Sequence, residues 1–218
     1  RRRSELDALQ SQINPHFLYN TLESINWRAK AIGERQISQI VESMGRFLRL
    51  TLSEKNENFT LKQELDIVNY YMTIQQIRFD ERLHFNISIP QNLYDVQIPK
   101  LTIQPLVENA VHYALEQITD DCTILLTAEQ KSNDIYVYVK NSGSSFEDDL
   151  LEKLARKEVK GKGLGIALLN IQQRIKLTFG DSYGLTLYNE DRFAVARVTI
   201  PYYIDEGKTI LSITNEMR

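Results

Sequence analysis

The residues of this chain that could do chemistry lie in three short, well-separated segments. The first, residues 12–20, carries His16 directly after Pro15. A neutral imidazole has a lone pair on one ring nitrogen, so His16 could act as a nucleophile if it projects from a kinked helix. A plainer interpretation makes Asn14 the N-cap and Pro15 the first residue of a helix, with His16 an ordinary first-turn residue. The first segment alone leaves both interpretations open.

The second segment, residues 101–112, carries Glu108, Asn109 and His112. On a helix these three side chains could share a side that faces a cleft. A carboxylate beside an amide suits hydrated Mg²⁺ and triphosphate oxygens, because this ion prefers oxygen ligands. The alternative is a surface helix with ordinary polar residues.

The third segment, residues 160–174, has glycines at 161, 163 and 165, and Arg174 lies in the helix that follows. Glycines before a helix N-terminus let backbone amides approach a phosphate group. No Gly-Lys-Ser/Thr closes a Walker A loop, and the spacing of a dinucleotide-binding fingerprint is absent. A glycine cluster alone is also typical of a flexible loop.

The elements that position these segments are predicted from hydrophobic periodicity. Apolar residues at helical spacing predict two long helices joined by a turn at residues 31–34, which together form a hairpin. Its single apolar seam favours pairing with a second copy in a four-helix bundle, although the seam could also pack on the rest of the chain. Thr60 and Gln63 fit a capping box at the start of a helix that runs to about Arg78.

From Leu83 onward, strands and helices are mixed, which predicts an α+β domain with several antiparallel strands. Two-residue alternation predicts strands, and three-to-four-residue spacing predicts helices. The predicted elements are a strand at 83–89, a helix at 99–115, strands at 122–129 and 134–140, a helix at 167–179, and a hairpin at 183–200.

Composition excludes several classes of protein. A net charge of -3 and a pI near 5.7 give no reason to expect nucleic-acid binding. The single Cys122 cannot form an internal disulfide, and no run of about 18 apolar residues predicts a membrane span. Because the chain starts on three arginines without a methionine, we expect a soluble fragment whose membrane-spanning and sensing parts precede Arg1.

Taken together and in this order, the three segments resemble the LytS/YesM type of sensor histidine kinase. The family's phosphoacceptor motif, Gln-x-Asn-Pro-His-Phe-Leu-Tyr-Asn-x-Leu, is matched by residues 12–22. Its N box, Leu-x-Pro-Leu-Val-Glu-Asn-Ala, is matched by residues 103–110. Its glycine lid and following helix are matched by residues 163–174, with Ala167 in place of the last glycine. The resemblance extends from Arg1 to about Pro201.

The resemblance implies a fold and a function. Residues 1–58 would form the dimerisation and histidine-phosphotransfer hairpin, half of a dimeric four-helix bundle. Residues 59–218 would form a GHKL-type (Bergerat) α/β sandwich that binds ATP and Mg²⁺. The homodimer would phosphorylate itself and pass the phosphoryl group to an aspartate in the receiver domain of a response regulator, at the cytoplasmic side of the cell membrane. Membrane attachment would come only from upstream segments.

The resemblance also implies roles for individual residues. His16 would be the nucleophile, Glu108 the base or the group that orients His16, and Asn109 the ligand of Mg²⁺. The residues expected to bind ATP are Asn109, His112, Asn141, Gly143, Gly161, Gly163, Leu164, Gly165, Asn170 and Arg174.

The chain departs from the family pattern around the adenine. The family's Asp-x-Gly-x-Gly is Asn141-Ser142-Gly143-Ser144-Ser145 here. Asn141 would therefore accept a hydrogen bond from the adenine amino group without the charge assistance that an aspartate gives. Ser145 and Ala167 both replace glycines. The alternative function is therefore a degenerate dimeric signalling module with weak or no ATP binding. A GHKL ATPase of the chaperone or DNA-repair kind is a third hypothesis, and the hairpin motif argues against it.

Overall fold

The computed structural model describes residues 14–52, 58–116, 121–157 and 164–205. The chain folds as two compact units, Arg1–Glu54 and Lys55–Arg218. Each unit is built around its own internal contacts.

The first unit contains a helical hairpin. Helix α1 is Pro15–Ala31 and helix α2 is Arg35–Leu52. Asn14 has extended backbone angles, and its side-chain oxygen accepts hydrogen bonds from the N–H groups of His16 (3.1 Å) and Phe17 (3.3 Å). The helix therefore begins at Pro15, as the N-cap interpretation predicts. The earlier part of the predicted first helix lies outside the described residues.

The two helices of the hairpin are joined by a tight turn and a polar network. Gly33 has a φ of 77°, a backbone conformation that favours glycine. Ser38 Oγ donates to Asn26 Oδ1 at 2.6 Å, and Asn26 Nδ2 donates to Glu42 Oε1 at 3.1 Å. Lys30 Nζ reaches the same Glu42 oxygen at 2.6 Å. These side-chain contacts connect α1 to α2 at Ser38, which is itself buried, and at Glu42, one turn further along.

About half of the large apolar side chains in the described part of the hairpin are exposed. Trp27 is 73% exposed and Phe17 is 66% exposed, whereas the buried apolar residues described here are Ala29 and Val41. The other exposed apolar side chains of the unit are Ile25, Ile32, Ile37, Met44 and Leu52. The hairpin alone therefore leaves much of its apolar surface in contact with water.

The second unit is a two-layer α+β domain, with a five-stranded sheet in the order β2-β4-β5-β7-β6. Its strands are β2 Leu83–Ser88, β4 Cys122–Lys131, β5 Asp134–Ser142, β6 Gly184–Glu190 and β7 Phe193–Pro201. Strand β2 is parallel to β4, and the other neighbours are antiparallel. A two-stranded sheet pairs β1, Asn58–Thr60, with β3, Gln97–Pro99.

The helices of this unit pack against one face of the five-stranded sheet. They are α3 Leu61–Phe79, α4 Gln104–Val111, α5 Leu150–Ala155 and α6 Leu164–Phe179. Alternate residues of the central strands, such as Leu126 and Val137, are buried with helix residues such as Val68, Val107 and Ile175. This alternation follows from the two-residue period of a strand, so the core lies between the helices and one face of the sheet.

The fold class predicted from the sequence is confirmed, with local corrections. The helix predicted at 99–115 begins only at Gln104, because Leu101 has a left-handed φ of 57° and the N–H groups of residues 101–103 bond to a distant side chain. After Val111 the backbone continues as a π-helical turn, His112–Glu116. The pattern also missed α5, which is too short at six residues to show helical periodicity.

Local signals were more reliable elsewhere. The capping box of Thr60 and Gln63 is present, and α3 begins and ends within one residue of the prediction. Gly180 follows α6 with a φ of 100°, as expected for a C-terminal glycine. Within the described ranges, no helix is long and apolar enough to cross a membrane.

Cys122 provides a test of the core. It lies at the start of β4, only 1% exposed, and burial raises the pKa of its thiol to about 11. At pH 8 about one thiol in a thousand would therefore be the reactive thiolate. We expect iodoacetamide to modify the folded chain far more slowly than the chain in denaturant, as measured by mass spectrometry. Native labelling as fast as that of a free thiol would contradict this packing.

Candidate functional site

The predicted nucleophile lies in an exposed first turn. His16 is exposed, and its Nδ1 lies 3.2 Å from Asn20 Nδ2, one turn further along α1. An amide group can serve either tautomer of the ring, since its nitrogen donates and its oxygen accepts. Here the amide nitrogen faces Nδ1, so Nδ1 accepts the hydrogen bond and a neutral ring carries its proton on Nε2. Asn20 belongs to the matched motif, but sequence reasoning gave it no role.

The second predicted segment places its residues in different environments. Glu108 is exposed and accepts a hydrogen bond from Gln104 Nε2 at 3.2 Å. Asn109, the next residue of α4, is 3% exposed, and its Oδ1 has no hydrogen-bond partner among the described residues. His112 is half-buried in the π-helical turn, with its ring edge-on to that of Tyr113. The three side chains thus do not share one environment.

The unpaired oxygen of Asn109 fits the magnesium prediction. A buried amide oxygen without a partner is costly, because it has lost water and gained no hydrogen bond. Oxygen is also the ligand type that Mg²⁺ prefers. No cluster of three His, Cys, Asp or Glu side chains that could hold a metal occurs in the described part of the chain. Asn109 therefore suits an ion that is also held by phosphate oxygens and water.

The predicted adenine pocket lies at the end of β5. Asn141 is 4% exposed, and its Nδ2 donates to Ser142 O at 3.1 Å and to Ser144 Oγ at 2.7 Å. These contacts orient the amide so that Oδ1 is the atom left to accept from an adenine amino group. Gly143 has a φ of 84°, so this turn requires a residue without a side chain.

The glycine-rich segment is only partly described. Gly161 and Gly163 lie outside the described residues, and Leu164 is the first residue of α6. A Cβ added at Gly165 would lie 3.0 Å from Leu154 Cδ2, so this glycine lets α6 approach α5 closely. Asn170 is exposed on the same helix. Gly165 thus has a packing reason in addition to the predicted phosphate contact.

Arg174 has a protein partner that the sequence did not predict. Its Nη2 donates to the carbonyl oxygen of Leu101 at 2.7 Å. Leu101 lies just before α4, so Arg174 connects α6 to the entry of the helix that carries Asn109. The resemblance alone had implied that Arg174 binds ATP.

Glu64, which the sequence reasoning missed, holds the same entry segment. Its carboxylate is fully buried and accepts hydrogen bonds from the N–H groups of Leu101 (2.5 Å), Thr102 (3.0 Å) and Ile103 (2.8 Å). Burial raises the pKa of Glu64, while the three N–H donors and the charge of Arg174 act in the opposite direction. A glutamate in the first turn of a helix usually signals only a favourable dipole contact, so its sequence position did not reveal this role.

Comparisons with known proteins relate the chain to histidine kinases. A family model described as histidine kinase matches residues 4–83. Sensor histidine kinase YesM of Bacillus subtilis is 47% identical over 199 residues, which are 91% of this chain and 33% of that protein. Sensor histidine kinase BtsS of Escherichia coli is 32% identical over 200 residues, 91% of this chain and 34% of that protein. Residues 4–83 of the chain belong to the histidine kinase family. The chain spans about a third of the length of the relatives it matches.

Solved structures support the fold of this histidine kinase chain. The nucleotide-free catalytic domain of histidine kinase ThkA matches 68% of the chain and 97% of that domain, with a TM-score of 0.51 and 21% identity. ThkA in complex with the response regulator TrrA matches 93% of the chain and 61% of that structure, with a TM-score of 0.50 and 18% identity. At these identities the likeness concerns the fold alone.

A cavity of about 790 Å³ lies against the sheet face opposite the helices of the kinase chain. Tyr138 and Lys140 of β5 line it, as does Glu190 of β6. Its lysines are paired within the cavity, Lys140 with Glu190 at 2.7 Å and Lys131 with Glu129 at 2.7 Å. None of the predicted site residues that the structure describes lines this cavity, which is therefore separate from the site predicted around Asn109.

Proposed function

We propose that this chain is the catalytic part of a sensor histidine kinase, which binds ATP and phosphorylates His16. The observation that carries the proposal is the exposed first turn, capped by Asn14, that presents His16 within the family match. The buried, unpaired amide oxygen of Asn109 supports nucleotide binding with Mg²⁺ by the second unit. The activity and partners of the full-length protein belong to this proposal.

The chemistry proposed for His16 is attack on the γ-phosphorus of ATP. Nε2 gives up its proton and forms the new N–P bond, while the bond between the γ-phosphorus and its bridging oxygen breaks and ADP leaves. Asn20 Nδ2 would hold the ring in place through its hydrogen bond to Nδ1. Glu108, exposed beside Asn109, is the proposed group that orients the imidazole or takes up its proton. In phosphoryl transfer the protein contributes mainly positioning and charge neutralisation.

The proposed nucleotide site joins residues of β5, α4 and α6. Asn141 Oδ1 would accept from the adenine amino group, and Gly143 would allow the base to approach the backbone. Asn109 Oδ1 would hold Mg²⁺, which neutralises charge on the phosphate oxygens when bound. The glycines at 161, 163 and 165, with Leu164, would bring backbone N–H groups to the phosphates. His112, Asn170 and Arg174 complete the predicted set.

We assign the next step to a response regulator, whose receiver-domain aspartate would take the phosphoryl group from His16. The complex of ThkA with a response regulator supports this for that protein, and we extend it to the present chain as a proposal. A place at the cytoplasmic side of the cell membrane, with the anchor in other parts of the full-length protein, belongs to the same proposal.

Replacement of the nucleophile tests the function. With γ-labelled ATP and Mg²⁺, the chain should gain an acid-labile label that His16→Ala abolishes, because the proposed N–P bond forms on His16. His84→Ala is the matched control, since His84 is also exposed but lies on β2, and it should label normally. ATP turnover without label would favour a plain ATPase. Absence of both nucleotide binding and label would favour the degenerate signalling module.

Replacement of Asn109 tests the proposed Mg²⁺ site. Its Oδ1 has no described protein partner, so Asn109→Ala should cost little stability and weaken binding of ATP in the presence of Mg²⁺ by about tenfold or more. Titration with a fluorescent ATP analogue, with and without EDTA, measures the effect. Unchanged affinity in Mg²⁺ would contradict a metal-binding role for Asn109.

The exposed apolar residues of the hairpin support a homodimer formed through residues 1–58. A second copy would cover Phe17, Trp27 and Met44, which are 66%, 73% and 43% exposed. Sedimentation of the chain should show a dimer at micromolar concentration. Trp27→Glu should shift it toward monomer, whereas Leu177→Glu, at an equally exposed site on α6, should not. A monomeric wild-type chain would contradict the proposal.

A further inference from the structure

Two side chains from different helices clamp the segment just before α4. The carboxylate of Glu64 on α3 accepts a hydrogen bond from the N–H group of Leu101, and Arg174 on α6 donates one to the carbonyl oxygen of the same residue. Leu101 has a φ of 57°, a left-handed conformation that costs a residue with a side chain about 1 kcal/mol or more. The two contacts therefore hold a backbone conformation that the local sequence disfavours.

The clamp also determines where α4 begins. Ile103, the N-cap of α4, supplies no side-chain cap, and the carboxylate of Glu64 accepts its N–H group instead. A negative charge near a helix N-terminus is stabilised by the unpaired N–H groups there. Asn109 lies only six residues further along this eight-residue helix. A shift of residues 101–103 would therefore move the Asn109 amide with them.

We propose that Glu64 and Arg174 are positioning residues for the Mg²⁺–nucleotide site, which act through residues 101–103 to place the side-chain oxygen of Asn109. The inference rests on the proposed function and adds residues to it. Arg174 acts through its hydrogen bond to the carbonyl oxygen of Leu101. This role needs no contact with phosphate. Glu64 has no role that the motif alone would assign.

The test compares two isosteric substitutions on α3 in the complete 218-residue chain. Glu64→Gln keeps the size of the side chain but turns an NH₂ group toward backbone N–H groups that need an acceptor. Asp66→Asn is the control, since Asp66 pairs only with Lys62 at the surface in the described contacts. The dissociation constant of a fluorescent ATP analogue is measured in Mg²⁺ and in EDTA, together with the melting temperature of each variant.

We expect Glu64→Gln to weaken binding in Mg²⁺ by about tenfold or more and binding in EDTA much less, because residues that orient a metal ligand typically contribute this much. Asp66→Asn should bind like the wild type. Wild-type affinity of Glu64→Gln in Mg²⁺ would overturn the inference. So would an equal loss in Mg²⁺ and EDTA, which indicates a general structural role.

Two further measurements keep the inference testable. If Glu64→Gln does not fold, Arg174→Gln replaces it, and a loss confined to Mg²⁺ supports positioning, whereas an equal loss in EDTA indicates direct phosphate binding. Amide hydrogen exchange without nucleotide should accelerate over residues 101–111 in Glu64→Gln and not in Asp66→Asn. Unchanged exchange would overturn the inference that Glu64 holds residues 101–103 in place. A wild-type chain that binds no nucleotide would instead overturn the proposed function itself.

Discussion

The buried carboxylate of Glu64 is the constraint on which the arrangement of the second unit depends. A charge in the interior is tolerated only where hydrogen bonds and an opposite charge compensate for the lost water. Three backbone N–H groups before α4 and the guanidinium of Arg174 supply that compensation. The requirement connects α3, α4 and α6, so the helix layer has a fixed arrangement and not merely a shared apolar surface.

Local features of the fold could be predicted because their causes lie within a few residues. Asn14 and Pro15 start α1, and Thr60 with Gln63 starts α3, since each cap forms between neighbours in sequence. Alternation of apolar residues likewise indicated the strands of the sheet. The motif match indicated the family, although it could not reveal the environment of each residue.

The features that the sequence did not predict depend on residues far apart in the chain. The start of α4 depends on Glu64, about 40 positions earlier, and the partner of Arg174 lies 73 positions away. Local periodicity extended the helix back to Pro99, because it contains no information about that carboxylate. Gly165 shows the same limit, since its approach to Leu154 cannot be distinguished from a phosphate-binding glycine by spacing alone.

The polar network of the hairpin has a mechanical consequence. Two helices that meet only through apolar side chains can slide by one turn at modest cost, because one aliphatic contact replaces another. Asn26, Ser38 and Glu42 allow no such exchange, since a slip of one turn would separate donors from acceptors at 2.6 and 3.1 Å. A force applied along α1 would therefore be transmitted to α2 with the register of the two helices unchanged, and the two helices would move together.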